Sequence, residues 1–334
     1  DFSHPKWFNE LKQLEEIDGI LETKTGFKFL LTNEISLMYS DEKKQRRVHL
    51  LLLAPSFDVV EQINEYLAKF GRLDYDGRPI FSISCYEFVE AIKEISNEIE
   101  IIPAHAWTPW FGIFGSVTGF DSMEEAFKDQ VKNIHAFETG LSSDPQMNWR
   151  LSKLDKYTIL SFSDSHSYWP WRLGREATVF ELKEGFSYRD IINAIRNKKI
   201  AFTIETDPSY GKYHYDGHRQ CNFSCSPNET KKLNYACPVC KRKLTIGVLH
   251  RVEELSDREE NFKPKDAIPF KTLLPLHEII AGVLKKNINS VKVKNEYEKL
   301  IAKFGNEFNV LLNADAFELS KIIDKKIVEV ILKN

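Results

Sequence analysis

The sequence predicts an α/β protein, a barrel or doubly wound sheet followed by a small metal-stapled module and a helical C-terminal part. Three observations carry this. Strand-like and helix-like segments alternate over about 200 residues, the pattern of βαβ units. Four of the five cysteines fall between Cys221 and Cys240, a grouping that suits a metal site better than disulfides. Beyond residue 257 the chain is punctuated by Pro264, Pro269 and Pro275 and then becomes lysine-rich with helical periodicity.

Taken in order, residues 1–20 carry a proline near their start and then read as helical. Residues 26–38 (GFKFLLTNEISLM) read as a strand with Glu34 at its far end, and 46–55 (RRVHLLLLAP) as a buried strand containing His49. Residues 57–70 have an amphipathic helix pattern stopped by Gly71. Residues 80–84 are short and β-like, 86–96 are helical, and 100–105 (EIIPAH) form a strand ending in His105. Cys85, at the end of a strand, is expected to be a small buried residue. Residues 123–131 are helical, 134–138 a short strand, and 151–156 close a helix. The run 157–167 (YTILSFSDSHS) follows, an apolar β-forming stretch that ends abruptly in Asp164 and His166. Another strand spans 177–182 and a helix 188–197. From 203 the periodicity fades, and 207–250 is rich in Tyr, His, Lys, Asn and Cys. Such a segment builds little core without a staple. In the tail, Ala316, Leu319, Ile322, Ile323, Ile327, Val330 and Ile331 fit one apolar face. The expected division is 1–205, 206–256 and 257–334.

The net charge of −3 announces no global basic field, so a nucleic-acid surface must be local. No apolar run is long enough to cross a bilayer, and no secretory signal opens the chain. With its cysteines reduced, the protein is expected in the cytoplasm, associated with the nucleoid. The chain begins at Asp1 without a methionine, and an N-terminal portion is expected to be missing from this numbering.

Glu34, His49, His105, Asp164 and His166 all lie in or at the end of a predicted strand. Strand ends converge in a barrel, and histidines with bridging carboxylates suit a multinuclear zinc, manganese or iron centre. Such a centre stabilises the attacking and leaving oxygens of a displaced phosphoryl group. Each residue also has a bland reading. His49 could be a satisfied core histidine, Glu34 an exposed acid, His105 a loop cap, and Asp164 the N-cap of a turn. The recurrence of the pattern on successive strands favours the metal.

The order and setting of TNEIS, RRVHLLLLAP, IIPAHAWTPWFG and SFSDSHS resemble the PHP superfamily of metal-dependent phosphoesterases (polymerase and histidinol phosphatase). Within it the chain resembles the endonuclease Q family, through AHAWTPWFGIFGS, HAFETGLSSDPQMNWRLS, SDSHSYWPWRLGREA, GKYHYDGHR and LHRVEEL. The resemblance covers residues 1 to about 285. It implies a distorted (β/α)7 barrel over 1–205 and metal ligation by Glu34, His49, His105, Asp164 and His166. It adds Asp1 as a ligand, with His4 a weaker candidate. Among these, Asp164, His166 and Glu34 would be the catalytic residues. Two or three divalent ions (Zn, Mn or Mg) are implied. The His-x-His that opens the family's first motif is absent.

Cys221-x3-Cys225 and Cys237-x2-Cys240 can meet around one tetrahedral structural zinc, or they are reduced thiols. His214, His218 or His250 could replace one cysteine, most plausibly Cys225. Trp107, Trp110, Phe111, Trp149, Trp171, Arg172 and Arg175 follow strand ends, while Tyr213, His214 and Arg219 sit beside the cysteines. Aromatics next to basic groups stack bases and hold phosphates, although tryptophans also roof a barrel as packing.

The resemblance implies a DNA-repair endonuclease. It would incise double-stranded DNA 5′ to a deaminated base (uracil, hypoxanthine, xanthine) or an abasic site and leave a 3′-hydroxyl and a 5′-phosphate. The alternatives are a small-molecule phosphoesterase of the histidinol-phosphate phosphatase type and a non-catalytic DNA-binding module. The cysteine module and the lysine-rich tail speak against a small substrate. The C-terminal helices are expected to meet DNA or a sliding clamp, and no motif chooses between them.

Overall fold

The computed structural model describes residues 1–41, 44–74, 78–169 and 171–334; Pro170, inside the YWPW run, lies outside the described residues. The chain is mixed α/β. Its spine is a long antiparallel pair, Lys28–Asp41 against Lys44–Ala54, in register from Leu31↔Ala54 to Asp41↔Lys44. The short link between them dictates this arrangement, because a parallel crossover needs a dozen or more residues. The βαβ alternation expected from the sequence therefore does not apply here.

Glu100–Pro103 pairs antiparallel with Lys44–Ala54, and Ile80–Phe81 pairs parallel with Lys28–Asp41. Parallel pairing appears further on, between Ala136–Glu138 and Thr158–Leu160. Phe202–Glu205 pairs antiparallel with Ala177–Val179 and parallel with Phe270–Thr272. Among the described residues the strands form four sheets, and no hydrogen-bonded ring closes them. The strands after residue 100 are only three or four residues long.

Helices Phe57–Leu67 and Cys85–Ile95 bury Val60, Ile63, Phe88, Val89 and Ile92 in the main core. Helix Tyr188–Arg196 closes a second cluster through Ile191, Ile192 and Ile195. The C-terminal helices have a core of their own, centred on Leu276, Ile280, Leu300, Leu319 and Ile327.

Several expectations need correction. The N-terminal helix is only Pro5–Leu11; Glu15–Ile17 and Ile20–Glu22 then form a hairpin around Asp18 and Gly19, which take positive φ. Glu34 is mid-strand, not at the far end. Cys85 is fully buried as expected, but it opens a helix, where Ser84 supplies a capping box. The single apolar face of the tail is split into Ala316–Ser320 and Lys325–Ile331, because Asp324 caps the second helix. Leu319, Ile323, Ile327 and Ile331 are buried, whereas Val330 is exposed. No helix among the described residues is long and apolar enough to cross a membrane.

Candidate functional site

An open cleft of about 1430 Å³ is lined by Asp1, Glu34, His49, His105, Asp164 and His166, together with Trp110, Phe111 and Tyr213. Its floor comes from the long strand pair. Ser36 faces His49 and Glu34 faces Leu51, so Glu34 and His49 are diagonal neighbours on one face. His105 arrives from the end of Glu100–Pro103. Its backbone sits at φ +32, held by N–H donation to the Glu138 carboxylate at 2.7 Å. Asp164 also takes a positive φ, +38, just past strand Thr158–Leu160. Non-glycine residues held in this region are strained, and such strain concentrates at functional sites.

Three donor atoms converge. His49 Nδ1 is 3.0 Å from Glu34 Oε1 and 3.0 Å from His105 Nε2, which is 3.3 Å from the same oxygen. This donor set, two imidazoles and a carboxylate, fits a divalent metal. Asp164 and His166 form a separate pair on the cleft wall, 3.3 Å apart, with His166 largely exposed. Asp1 lines the cleft, but it is outside the three-residue group. His4 is occupied elsewhere, since its Nδ1 accepts from Lys6 N and caps the first helix.

The electrostatics follow from burial and pairing. Burial alone would raise the Glu34 carboxyl, but hydrogen bonds from His105 and His49 override it and hold it far below the usual carboxylate range. Burial pushes the His49 ring down to about 4. At His105 burial opposes protonation, yet the bond to Glu34 and the Glu138 charge raise the ring.

Sequence reasoning missed two residues. Arg78 donates to Glu34 Oε1 at 2.9 Å and lies 3.1 Å from His49 Nδ1; nothing in its loop signals this. Glu138 ends strand Ala136–Glu138, the same acid-at-strand-end pattern that drew attention to other residues. It is buried, its Oε1 has no partner among the described residues, and burial pushes it up to about 8.

The expected DNA-contacting residues divide. Trp110, Phe111 and Tyr213 face the cleft; Phe111 stacks on His49 at 4.3 Å, and Trp110 meets Tyr213 edge-on at 6.2 Å. Arg219 is exposed on a side cavity of about 370 Å³ that shares Trp110 and Tyr213. Trp107 is 1% exposed and donates to Asn148 Oδ1 at 2.7 Å, so it is core and cannot stack a base. Trp149 is buried away from the cleft, edge-on to Phe270. His214 is buried, with Nδ1 3.1 Å from Ser142 O, which ties the cysteine module to the α/β unit. Trp171 is buried against Trp169, Arg172 approaches Glu278 at 3.7 Å, and Arg175 donates to Ser163 O at 3.3 Å.

In the cysteine module, Cys221, Cys237 and Cys240 come together with His218. Cys225 is outside the group, its buried Sγ 3.2 Å from Thr230 Oγ1. Strand pairing explains the exchange. Cys225 faces Asp216 across the small hairpin, while His218, at its other end, faces Phe223. His250 is engaged by Asp216 at 2.6 Å.

Comparisons with known proteins show what the chain is similar to. A family model described as the MJ0043 C-terminal domain matches residues 275–333. The uncharacterised protein MJ0043 of Methanocaldococcus jannaschii is 38% identical over 265 residues, which is 78% of this chain but only 32% of that protein. The chain thus spans about a third of the length of that relative. The uncharacterised protein YqxK of Bacillus subtilis is 27% identical over 323 residues, 95% of this chain and 76% of that one. The crystal structure of the lesion-specific endonuclease PfuEndoQ from Pyrococcus furiosus matches with a TM-score of 0.84 and 33% identity, over 99% of this chain and 79% of that one. An endonuclease Q complex with a 27-mer duplex bearing an abasic lesion at the active site matches with a TM-score of 0.86 and 33% identity, over 99% and 80%. The cleft, its converging donors and the match along nearly the whole chain lead to one conclusion: the chain belongs to the endonuclease Q family.

Proposed function

We propose that the chain is a metal-dependent DNA-repair endonuclease, a hydrolase that cuts the phosphodiester 5′ of a deaminated base or abasic site and leaves a 3′-hydroxyl and a 5′-phosphate. The observation that carries this is the convergence of Glu34, His49 and His105 in one open cleft whose wall also bears Asp164 and His166. In this reading Glu34, His49 and His105 hold one divalent ion, and Asp164, His166 and Asp1 complete sites for one or two more. When bound, such ions activate water near neutral pH and neutralise charge on the phosphate.

The protein's own groups do the rest. Arg78, beside Glu34, offers a guanidinium to a phosphate oxygen. Glu138 fixes His105 through its backbone N–H, which keeps the imidazole aimed at Glu34. The rings of Trp110 and Tyr213 separate the cleft from the side cavity, which has room for an extruded base between aromatic walls. His218, Cys221, Cys237 and Cys240 hold a structural zinc. The division is 1–205 for a distorted PHP barrel, 206–256 for the zinc module and 257–334 for the helical part, with Phe270–Thr272 returning to pair with Phe202–Glu205.

The test is incision of a duplex carrying one deoxyuridine, with manganese, magnesium or zinc supplied, beside an undamaged duplex and the Glu34→Gln variant. A nick 5′ of the deoxyuridine, absent from both controls, is expected. No nick on deoxyuridine, deoxyinosine or abasic duplexes with any metal would overturn the reading.

A further inference from the structure

The loop bearing Asp164 and His166 is held from two sides. On one side, Arg175 donates to Ser163 O at 3.3 Å through both Nε and Nη2. On the other, a column of five rings leads away from the cleft. Tyr168, which lines the cleft and is 78% exposed, meets Trp169 at 5.0 Å. Trp169 stacks on Trp171 at 4.9 Å with 13° between planes. Trp171 meets His277 at 4.7 Å, and His277 meets Tyr297 at 3.8 Å.

The column runs from solvent at the cleft mouth into the C-terminal bundle, since Trp171 is 7% and His277 3% exposed. His277 is on helix Leu276–Leu284 and Tyr297 on helix Val291–Phe304. Two contacts run beside it. Arg172 approaches Glu278 at 3.7 Å, and Gly174 lies against the Phe308 ring. His277 Nδ1 has no hydrogen-bond partner among the described residues, and burial pushes the ring down to about 4. At neutral pH it is therefore an uncharged plate that contributes ring contact alone.

We propose that the C-terminal helical bundle positions the Asp164–His166 loop through this ring column, with His277 and Trp171 as its positioning residues. The bundle is the segment matched by the MJ0043 C-terminal model, and this assigns it a mechanical role in the site. Each ring contact, one stacked and three tilted, ties the loop to the next ring and through it to the bundle, so the column limits where the Asp164 carboxylate sits. The catalytic part of the expectation rests on the endonuclease reading; the structural part does not.

The test is amide hydrogen exchange of residues 162–169 and 171–175 in the full chain, together with steady-state incision. His277→Ala should speed exchange in this loop about tenfold or more and lower kcat about tenfold with KM little changed. His277→Phe, which keeps a planar ring, should restore both. Leu319→Ala, a cut in the bundle core on helix Ala316–Ser320, which carries no ring of the column, should do neither while the bundle stays folded. If His277→Ala unfolds helix Val291–Phe304, Trp171→Leu severs the column from the loop side and carries the same expectation. Loop exchange that stays at the wild-type rate in a folded variant overturns the proposal, as does Leu319→Ala loosening the loop equally. Exchange is read whether or not the chain nicks DNA, so failure of the endonuclease reading leaves this test standing.

Discussion

Gly140→Ala tests whether the tight turn after Glu138 builds the position of His105. Gly140 sits at φ +68, and a Cβ placed there would lie 2.7 Å from His105 Cβ and 2.9 Å from its Cα. The backbone of His105 cannot retreat easily, because its N–H is committed to Glu138 and Ala106 N donates to Glu138 O. The left-handed conformation costs an alanine about 1 kcal/mol, and overlap in a packed site adds about 1–3 kcal/mol. The expected loss is therefore about 2–4 kcal/mol of unfolding free energy. The displaced imidazole should also lower the metal content of the cleft. Gly282→Ala is the control. It lies in helix Leu276–Leu284 with nothing among the described residues within 4 Å of the added carbon, and should stabilise by about 0.5–1 kcal/mol. Urea unfolding of the full chain and elemental metal analysis read both effects. A cost below about 1 kcal/mol at Gly140 would refute the crowding argument. A full cost with unchanged metal content would refute the link to His105.

Three further predictions follow from the same packing. Trp107→Phe leaves the buried Asn148 Oδ1 without its donor, so urea unfolding should report a loss of about 1–3 kcal/mol. Fluorescence anisotropy on an abasic duplex should find DNA affinity unchanged. Cys225→Ala should keep wild-type zinc content by elemental analysis, whereas His218→Ala and Cys237→Ala should lose zinc and the structure of the module with it. Lys93 is buried, donates to Ile99 O, and burial pushes its ammonium down to about 8 from 10.5. Between those values the unfolded chain binds the proton more readily than the fold, so stability should rise with pH across that window, by roughly 2–3 kcal/mol. Lys93→Met should lack this rise in urea midpoints taken at either end of the window.

Much of the site was legible because ligand chemistry and strand ends leave local marks. EIIPAH and SFSDSHS each place a candidate ligand side chain just past an apolar run, and the fold brings both to one cleft. Glu34 was legible by type but not by place, because reading a strand does not reveal how far it extends beyond an acid. What stayed hidden depends on long-range pairing. Whether His218 or Cys225 joins the cysteines is decided by the register Asp216↔Cys225, which spacing does not encode. Trp107 and Trp110 look alike in AWTPWFG, yet one bonds Asn148 in the core and the other faces the cleft. Arg78 reaches Glu34 from 44 residues away, and no periodicity marks such a partner. The ring column joins Trp169 and Trp171 to helices more than a hundred residues on, so only the fold reveals it.

The most direct test of the central claim is single-turnover incision of an abasic duplex with both new ends mapped, for the wild-type chain and Asp164→Asn, each loaded with metal. One wild-type nick is expected 5′ of the lesion, bearing a 3′-hydroxyl and a 5′-phosphate. Asp164→Asn should bind the same duplex without cutting it. A variant that cuts at the wild-type rate, or a wild-type chain that binds the lesion and never cuts, would contradict it.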